Sequence, residues 1–126
     1  MQMFKSLDFI YMPSKNVDAD LKYYSKVLNA EIVFNIRDMG TQVAMLILGD
    51  GPRLLLAEHL EGERPILLYR VDNLKKATKE LKGRGWKKGT EVELPHGPCC
   101  TFEAKGGQRF AIYQRVREAE KFLASK

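Results

Sequence analysis

The chain has 126 residues, 44% hydrophobic and 29% charged, enough to bury a core in one domain without metal or disulfide staples. Twenty-one basic residues against 16 acidic give +5, a surplus that favours anionic partners, and no apolar run approaches the ~20 residues that cross a bilayer. The opening MQMFKSLDF lacks a secretion signal, and the only cysteines, Cys99 and Cys100, are adjacent and bridge only with strain, so reduced thiols and a cytoplasmic location are expected.

In chain order, SLDFIYMP is rich in strand-favouring residues and stops at Pro13. Asn16 then offers an N-cap, and Val17, Leu21, Tyr24 and Leu28 recur at helical spacing, which predicts an amphipathic helix. AEIVFNI, TQVAMLILG and PRLLLAE follow as three strands, parted by turn signals at Asp38 to Gly40 and Gly49 to Pro52.

The same order then returns. RPILLYRV is a predicted strand, Asn73 caps a helix with Leu74, Ala77 and Leu81 inward, and Gly83 and Gly85 end it. TEVELP, partly loop, CCTFEA and QRFAIYQ supply three more strands. Ile66 registers with Phe9, Asn73 with Asn16 and Leu74 with Val17, while GGQRFAIY repeats the layout of GPRLLLAE, so the chain reads as a duplicated unit. The predicted fold is α+β: one domain over residues 1–126, with βαβββ modules at 5–59 and 64–114 and a C-terminal helix over 115–126. Each module's helix covers one sheet face, and the two bare faces are expected to form a curved mixed sheet with a cleft.

These segments resemble the vicinal oxygen chelate superfamily, which includes glyoxalase I, extradiol dioxygenases and fosfomycin- and bleomycin-resistance proteins. LDFIYMPSKNVDADLKYYSKVLNAEIVF looks like its first strand, helix and FYxxvLG segment. ILLYRVDNLKKA is similar to its fifth strand and VdD turn, and FEAKGGQRFAIY occupies the place of DPdGnxxel. The resemblance spans nearly the whole chain and implies the fold rather than one chemistry.

In metal-dependent members four strands each supply a His, Glu or Gln ligand. Carried across, those positions fall on Phe9, about Leu55, Ile66 and Ala111, none of which is a metal donor, so neither metal nor other cofactor is expected. The other donor types, Glu58, His59, His96, Cys99, Cys100 and Glu103, have no zinc-type spacing, and the two cysteines point to opposite faces of a strand.

Residues two apart share a strand face, which groups Leu7, Phe9 and Tyr11; Arg53, Leu55 and Ala57; Ile66, Leu68 and Arg70; and Arg109, Ala111 and Tyr113. The expected ligand-binding residues are Phe9, Tyr11, Arg53, Leu55, Ile66, Leu68, Arg70, Arg109, Ala111 and Tyr113. An apolar floor with arginines toward its ends suits a flat or apolar ligand carrying an anionic group. The plainer reading pairs these arginines with surface acids such as Glu58 or Glu103. Trp86 is expected to pack.

Three functions follow. The first is a metal-free small-molecule-binding protein comparable to the bleomycin-resistance members, working as a homodimer. The second is a lyase, isomerase or dioxygenase with displaced ligands, or a metal-independent enzyme using Tyr11, Tyr113 or His96 for proton transfer. The third is an interaction protein holding nucleic acid on the basic run from Lys75 to Lys88; that run lacks the aromatic interleaving of nucleic-acid readers, so a solvated helix face is the simpler reading. No membrane partner is expected.

Overall fold

The computed structural model describes residues 3–38, 40–94 and 96–117. The elements are β1 (Ser6–Pro13), α1 (Val17–Lys26), β2 (Glu31–Asp38), β3 (Thr41–Ile47), β4 (Arg53–Ala57), β5 (Ile66–Val71), α2 (Leu74–Gly83), β6 (Glu91–Leu94), β7 (Gly97–Glu103) and β8 (Arg109–Gln114). The fold is α+β with the order β-α-β-β-β given twice. Two compact units divide it, Asp8–Leu67 and Met1–Leu7 with Leu68–Lys126. No described helix is long and apolar enough to cross a membrane.

In the first unit the strands lie in the order β2-β3-β4-β1, with β1 parallel to β4 and the other neighbours antiparallel. The parallel pair follows from connectivity, because α1 and a hairpin intervene between β1 and β4. α1 starts where Asn16 leaves helical geometry and its side chain accepts from the Ala19 N–H at 3.0 Å. Asp18 and Asp20 add negative charge at the positive end of the helix dipole. Val17 and Leu21 face inward against Ala30, Ala44, Leu46 and Leu56, with Met12, Tyr24 and Leu54 packed around them. Full burial of a Val or Leu side chain contributes about 1.5–3 kcal/mol.

One expectation fails at the end of α1. The helix stops at Lys26, so Leu28 is not the last member of its stripe but an exposed loop residue. Asn29 takes a φ of 61°, the left-handed region that Asn tolerates, and the Ala30 N–H closes the turn on the Tyr24 carbonyl at 2.9 Å. This cap ends the helix before the fourth apolar position is reached.

A polar clamp fixes the other end of α1 to the hairpin. Gln42, 3% exposed, donates through Nε2 to Asp18 Oδ1 at 2.8 Å and to Asn35 Oδ1 at 2.7 Å. Its Oε1 accepts from Arg37 Nη2 at 2.6 Å, so the buried amide is fully committed. Ser14, also buried, donates to Asp20 Oδ2 at 2.5 Å.

In the second unit the order is β5-β8-β7-β6, with β7 antiparallel to both β8 and β6. The Lys5 N–H bonds the Arg70 carbonyl at 2.8 Å, bringing the N-terminal residues onto β5. Asn73 caps α2 by accepting from the Lys76 N–H at 3.0 Å, and Gln114 Oε1 accepts from the Leu74 N–H at 2.9 Å. Ala77, Val71, Cys100 and Ile112 form the core beneath α2.

A run of aromatic neighbours crosses this core, with centroid separations of 5.4 Å for Phe4–Tyr69, 6.3 Å for Tyr69–Phe110, 5.6 Å for Phe110–Phe102 and 5.5 Å for Phe102–Trp86. Trp86 is thus a packing residue, and its buried Nε1 has no hydrogen-bond partner among the described residues. β6 has four residues, the expected TEVELP strand being partly loop. β7 begins at Gly97, two residues before the predicted start.

The terminal helix expected over 115–126 lies outside the described residues beyond Arg117. Residues 115–117 are not helical: the Val116 and Arg117 N–H groups both donate to the His96 carbonyl, at 2.9 and 3.2 Å.

Removing either cap, Asn16→Ala or Asn73→Ala, should cost about 1 kcal/mol and lower the melting temperature by roughly 3–5 °C in differential scanning calorimetry. Gly97→Ala should be far worse, on the order of 3 kcal/mol, because its Cβ would fall 2.0 Å from the Gln114 carbonyl oxygen, a backbone atom that yields only if β8 shifts.

Candidate ligand-binding faces

Each unit has one sheet face under its helix and one facing away from it. In the first unit Leu54, Leu56, Ala44 and Leu46 pack toward α1, so alternation sends Phe9, Tyr11, Arg53, Leu55 and Met45 to the opposite face. The register brings them together: Phe9 lies beside Arg53 and Tyr11 beside Leu55 across the parallel pair, and Met45 lies beside Leu55 across the antiparallel one. Phe9 (6%), Leu55 (7%) and Met45 (2%) are withdrawn from solvent, as is Ile66 (7%) at the start of β5.

Polar groups sit at the two ends of this face. Arg53 is exposed, and its Nη1 approaches Met45 Sδ at 3.6 Å. At the far end the Tyr11 and His59 rings meet edge to face at 6.2 Å, and Thr41 Oγ1 lies 3.3 Å from His59 Nδ1. His59, expected only as a loop histidine, is therefore a neighbour of Tyr11. The signal was a histidine two residues past β4, but its meaning depends on the β1–β4 register.

In the second unit Leu68, Ala111 and Tyr113 occupy the face opposite α2 and are 1–2% exposed. Arg70 and Arg109 on the same face are half-buried. Arg109 stands directly across from Glu103 in the β7–β8 ladder, where opposite charges favour one another. The His96 ring lies 6.1 Å from the Tyr113 ring.

The four positions that the sequence resemblance assigns to metal ligands, Phe9, Leu55, Ile66 and Ala111, are all apolar and all buried. Phenyl, alkyl and methyl groups present no lone pair to a cation, and burying an ion among them costs its hydration. Among the described residues no three His, Cys, Asp or Glu side chains converge as a metal cluster.

The cysteines follow the strand alternation. Cys99 is paired with Tyr113 on the face away from α2, whereas Cys100 belongs to the core under the helix. Burial pushes the Cys99 thiol from its ordinary 9.0 up to about 12, with the neighbouring Cys100 adding to it. Burial also raises the Cys100 thiol, against the opposing pull of Lys88.

The basic run is a solvated surface. Lys75, Lys76, Lys79, Lys82, Arg84, Lys87 and Lys88 are all exposed, Arg84 pairs with Glu80 at 3.1 Å, and Lys88 pairs with Glu91. That hydrogen-bonded pair holds the Lys88 ammonium above and the Glu91 carboxyl below their ordinary values.

Native protein at pH 8 should react with a thiol-specific disulfide reagent at least a hundredfold more slowly than unfolded protein, which should release two equivalents. Because Cys99 ionises near 9 when unfolded and near 12 when folded, its contribution to stability is intact below pH 9 and is lost as pH rises toward 12. The stability difference between wild type and Cys99→Ala, measured by urea unfolding, should shrink over that interval.

No family model matches the chain, and no curated protein does. Solved structures do. The methylmalonyl-CoA epimerase of Mycobacterium tuberculosis superposes with a TM-score of 0.76 at 16% identity, over 100% of this chain and 95% of the epimerase. A hypothetical protein from Bacillus halodurans C-125 gives 0.75 at 16% identity over 89% and 95%. A Streptomyces coelicolor methylmalonyl-CoA epimerase variant in complex with 2-nitronate-propionyl-CoA gives 0.73 at 14% identity over 90% and 99%. At these identities the likeness establishes the fold and leaves the chemistry open. The chain has the vicinal oxygen chelate fold.

Proposed function

We propose that this protein binds a small apolar or aromatic molecule carrying an anionic group, and does so without a divalent metal at the positions its fold uses for one. The observation that carries the reading is the replacement of all four ligand positions by buried apolar residues, Phe9, Leu55, Ile66 and Ala111. The anionic preference rests on Arg53, exposed at the end of the first unit's apolar face, and on Arg70 and Arg109, half-buried on the second unit's. A guanidinium fork grips carboxylate or phosphate at two points, which gives orientation as well as attraction.

The epimerases that share the fold supply a first class of probe. Acyl-CoA thioesters join an apolar acyl group to anionic phosphates, the combination inferred here from the side chains alone. A second reading, proton transfer at a carbon acid within such a ligand, is favoured by the grouping of Tyr11, His59 and Thr41. Imidazole is a common proton-transfer group, and because Thr41 Oγ1 lies at Nδ1, Nε2 is the nitrogen assigned that role. Tyr113, at 1% exposure, is too enclosed to meet a substrate without rearrangement.

Native mass spectrometry of untagged protein should show no stoichiometric divalent metal, and added Mg²⁺, Mn²⁺, Co²⁺ or Zn²⁺ should leave its melting temperature unchanged. Titration with propionyl-CoA and with aromatic carboxylates should reveal saturable binding, weakened about tenfold, or ~1.4 kcal/mol, by Arg53→Ala if the first unit's face holds the ligand and by Arg109→Ala if the second's does. A metal retained through dialysis, or full affinity in both arginine variants, would overturn the proposal.

A further inference from the structure

Beside α2 the second unit carries a groove of about 510 Å³, on the helix side of its sheet rather than on the face described above. Its floor is apolar, with Met3 and Phe4 from the N-terminal segment, Val71 from the end of β5 and Ala77 from α2. Val71 and Ala77 are only 2% and 4% exposed. The wall made by α2 runs from Asn73 through Lys76 and Glu80 to Arg84, one side of the helix by its three- and four-residue steps. At 1.5 Å per residue this wall is roughly 16 Å long.

The charges on the rim do not cancel. Lys5 pairs with Asp72 at 3.5 Å at one end, and Arg84 pairs with Glu80 at 3.1 Å at the other. Lys76 stands between these pairs, and no described carboxylate pairs with it. Both acids of the groove thus have a cation already, and one ammonium remains over an apolar floor.

We propose that this groove binds a single aliphatic chain ending in a carboxylate, with the chain along Phe4, Val71 and Ala77 and the carboxylate at Lys76. Its volume lies within the roughly 300–1,000 Å³ of small-molecule sites. One surplus cation specifies one anionic group. Because Lys76 is exposed, salt screens its attraction, and the charge should improve affinity only several-fold. The groove shares no residue with the arginine-bearing faces, so the two sites are independent.

The test is chemical-shift mapping of ¹⁵N-labelled protein with octanoate and 1-octanol, both below their aggregation limits. Octanoate should shift the amides of Lys5, Asp72, Lys76 and Ala77 saturably and bind three- to tenfold more tightly than octanol. Lys76→Glu should abolish that preference while leaving octanol binding intact, and Lys76→Gln should reduce it in the same direction. The Glu variant should fold normally, because an acid in the first turn of α2 complements the helix dipole. Arg53→Ala should leave every one of these shifts unchanged, which separates this site from the preceding proposal. Equal affinity for octanoate and octanol, absence of shifts at these four amides, or an unaltered preference in Lys76→Glu would overturn the inference. Saturable shifts produced by an acidic peptide but not by octanoate would assign the groove to a polypeptide and overturn it equally.

Discussion

In β4 the side chains of Leu54 and Leu56 pack beneath α1, while Leu55 between them points away. This alternation of a pleated strand is the constraint on which the remaining features rest. It divides each unit into a helix-covered core and a second face, which carries Phe9, Tyr11, Arg53 and Leu55 in the first unit and Leu68, Arg70, Arg109, Ala111 and Tyr113 in the second, whereas the groove at Lys76 lies on the helix side. A shift of one residue in β4 would place Arg53 and Leu55 under the helix and turn Leu54 and Leu56 outward. The parallel register with β1 and the antiparallel register with β3 prevent that shift, because each aligns residues of matching face: Tyr11 and Met45 with Leu55, Met12 and Ala44 with Leu56.

The two units solve the problem of attaching a helix by different means. In the first, acids in the opening turn of α1 bind the buried Gln42 and Ser14, so a polar network holds the helix start against its hairpin. A buried amide with all its partners present specifies one arrangement, since each lost contact would leave an unsatisfied group. The second unit has no acid in the opening turn of α2 and places basic residues there. Its attachment relies on the Leu74 N–H bond to Gln114 Oε1 and on Leu74, Ala77 and Leu81 packing with Val71, Cys100, Ile112 and the neighbouring aromatics. The basic stretch stays on the exposed side of this packing, with Arg84–Glu80 and Lys88–Glu91 as ion pairs along it.

What the sequence disclosed is governed by distance along the chain. Asn16 and Asn73 announce their helices because capping is a contact across three residues, and the glycines mark turns for equally local reasons. The assignment of residues to strand faces also follows locally, from period-two alternation in RLLLA and RFAIY. The errors lie where a non-local or cooperative choice decided the outcome. Leu28 continues the apolar spacing of α1, but the left-handed turn at Asn29 ends the helix first. His59 gains significance only from its position beside Tyr11 across two parallel strands, and Phe4 only from its packing on Tyr69 of β5. Neither neighbour relation has a signature in the residues adjacent to it.

Burial at Phe9, Leu55 and Ile66 changes what these positions contribute. A metal ligand at such a position would be a polar group whose desolvation is offset by the ion. Here each buried side chain contributes about 1.5–3 kcal/mol of hydrophobic stabilisation without one. Replacing a single member with His or Glu would bury an isolated polar group at a cost of several kcal/mol, and one ligand alone would not recover it. Building a metal centre at these positions would therefore require coordinated substitutions, each destabilising by itself. Under that constraint polar chemistry moves to the strand ends, where Arg53 and the Tyr11–His59 pair keep contact with solvent while the middle of the face stays apolar. The guanidinium of Arg53 and the imidazole of His59 are thus the exposed polar groups at the two ends of this face.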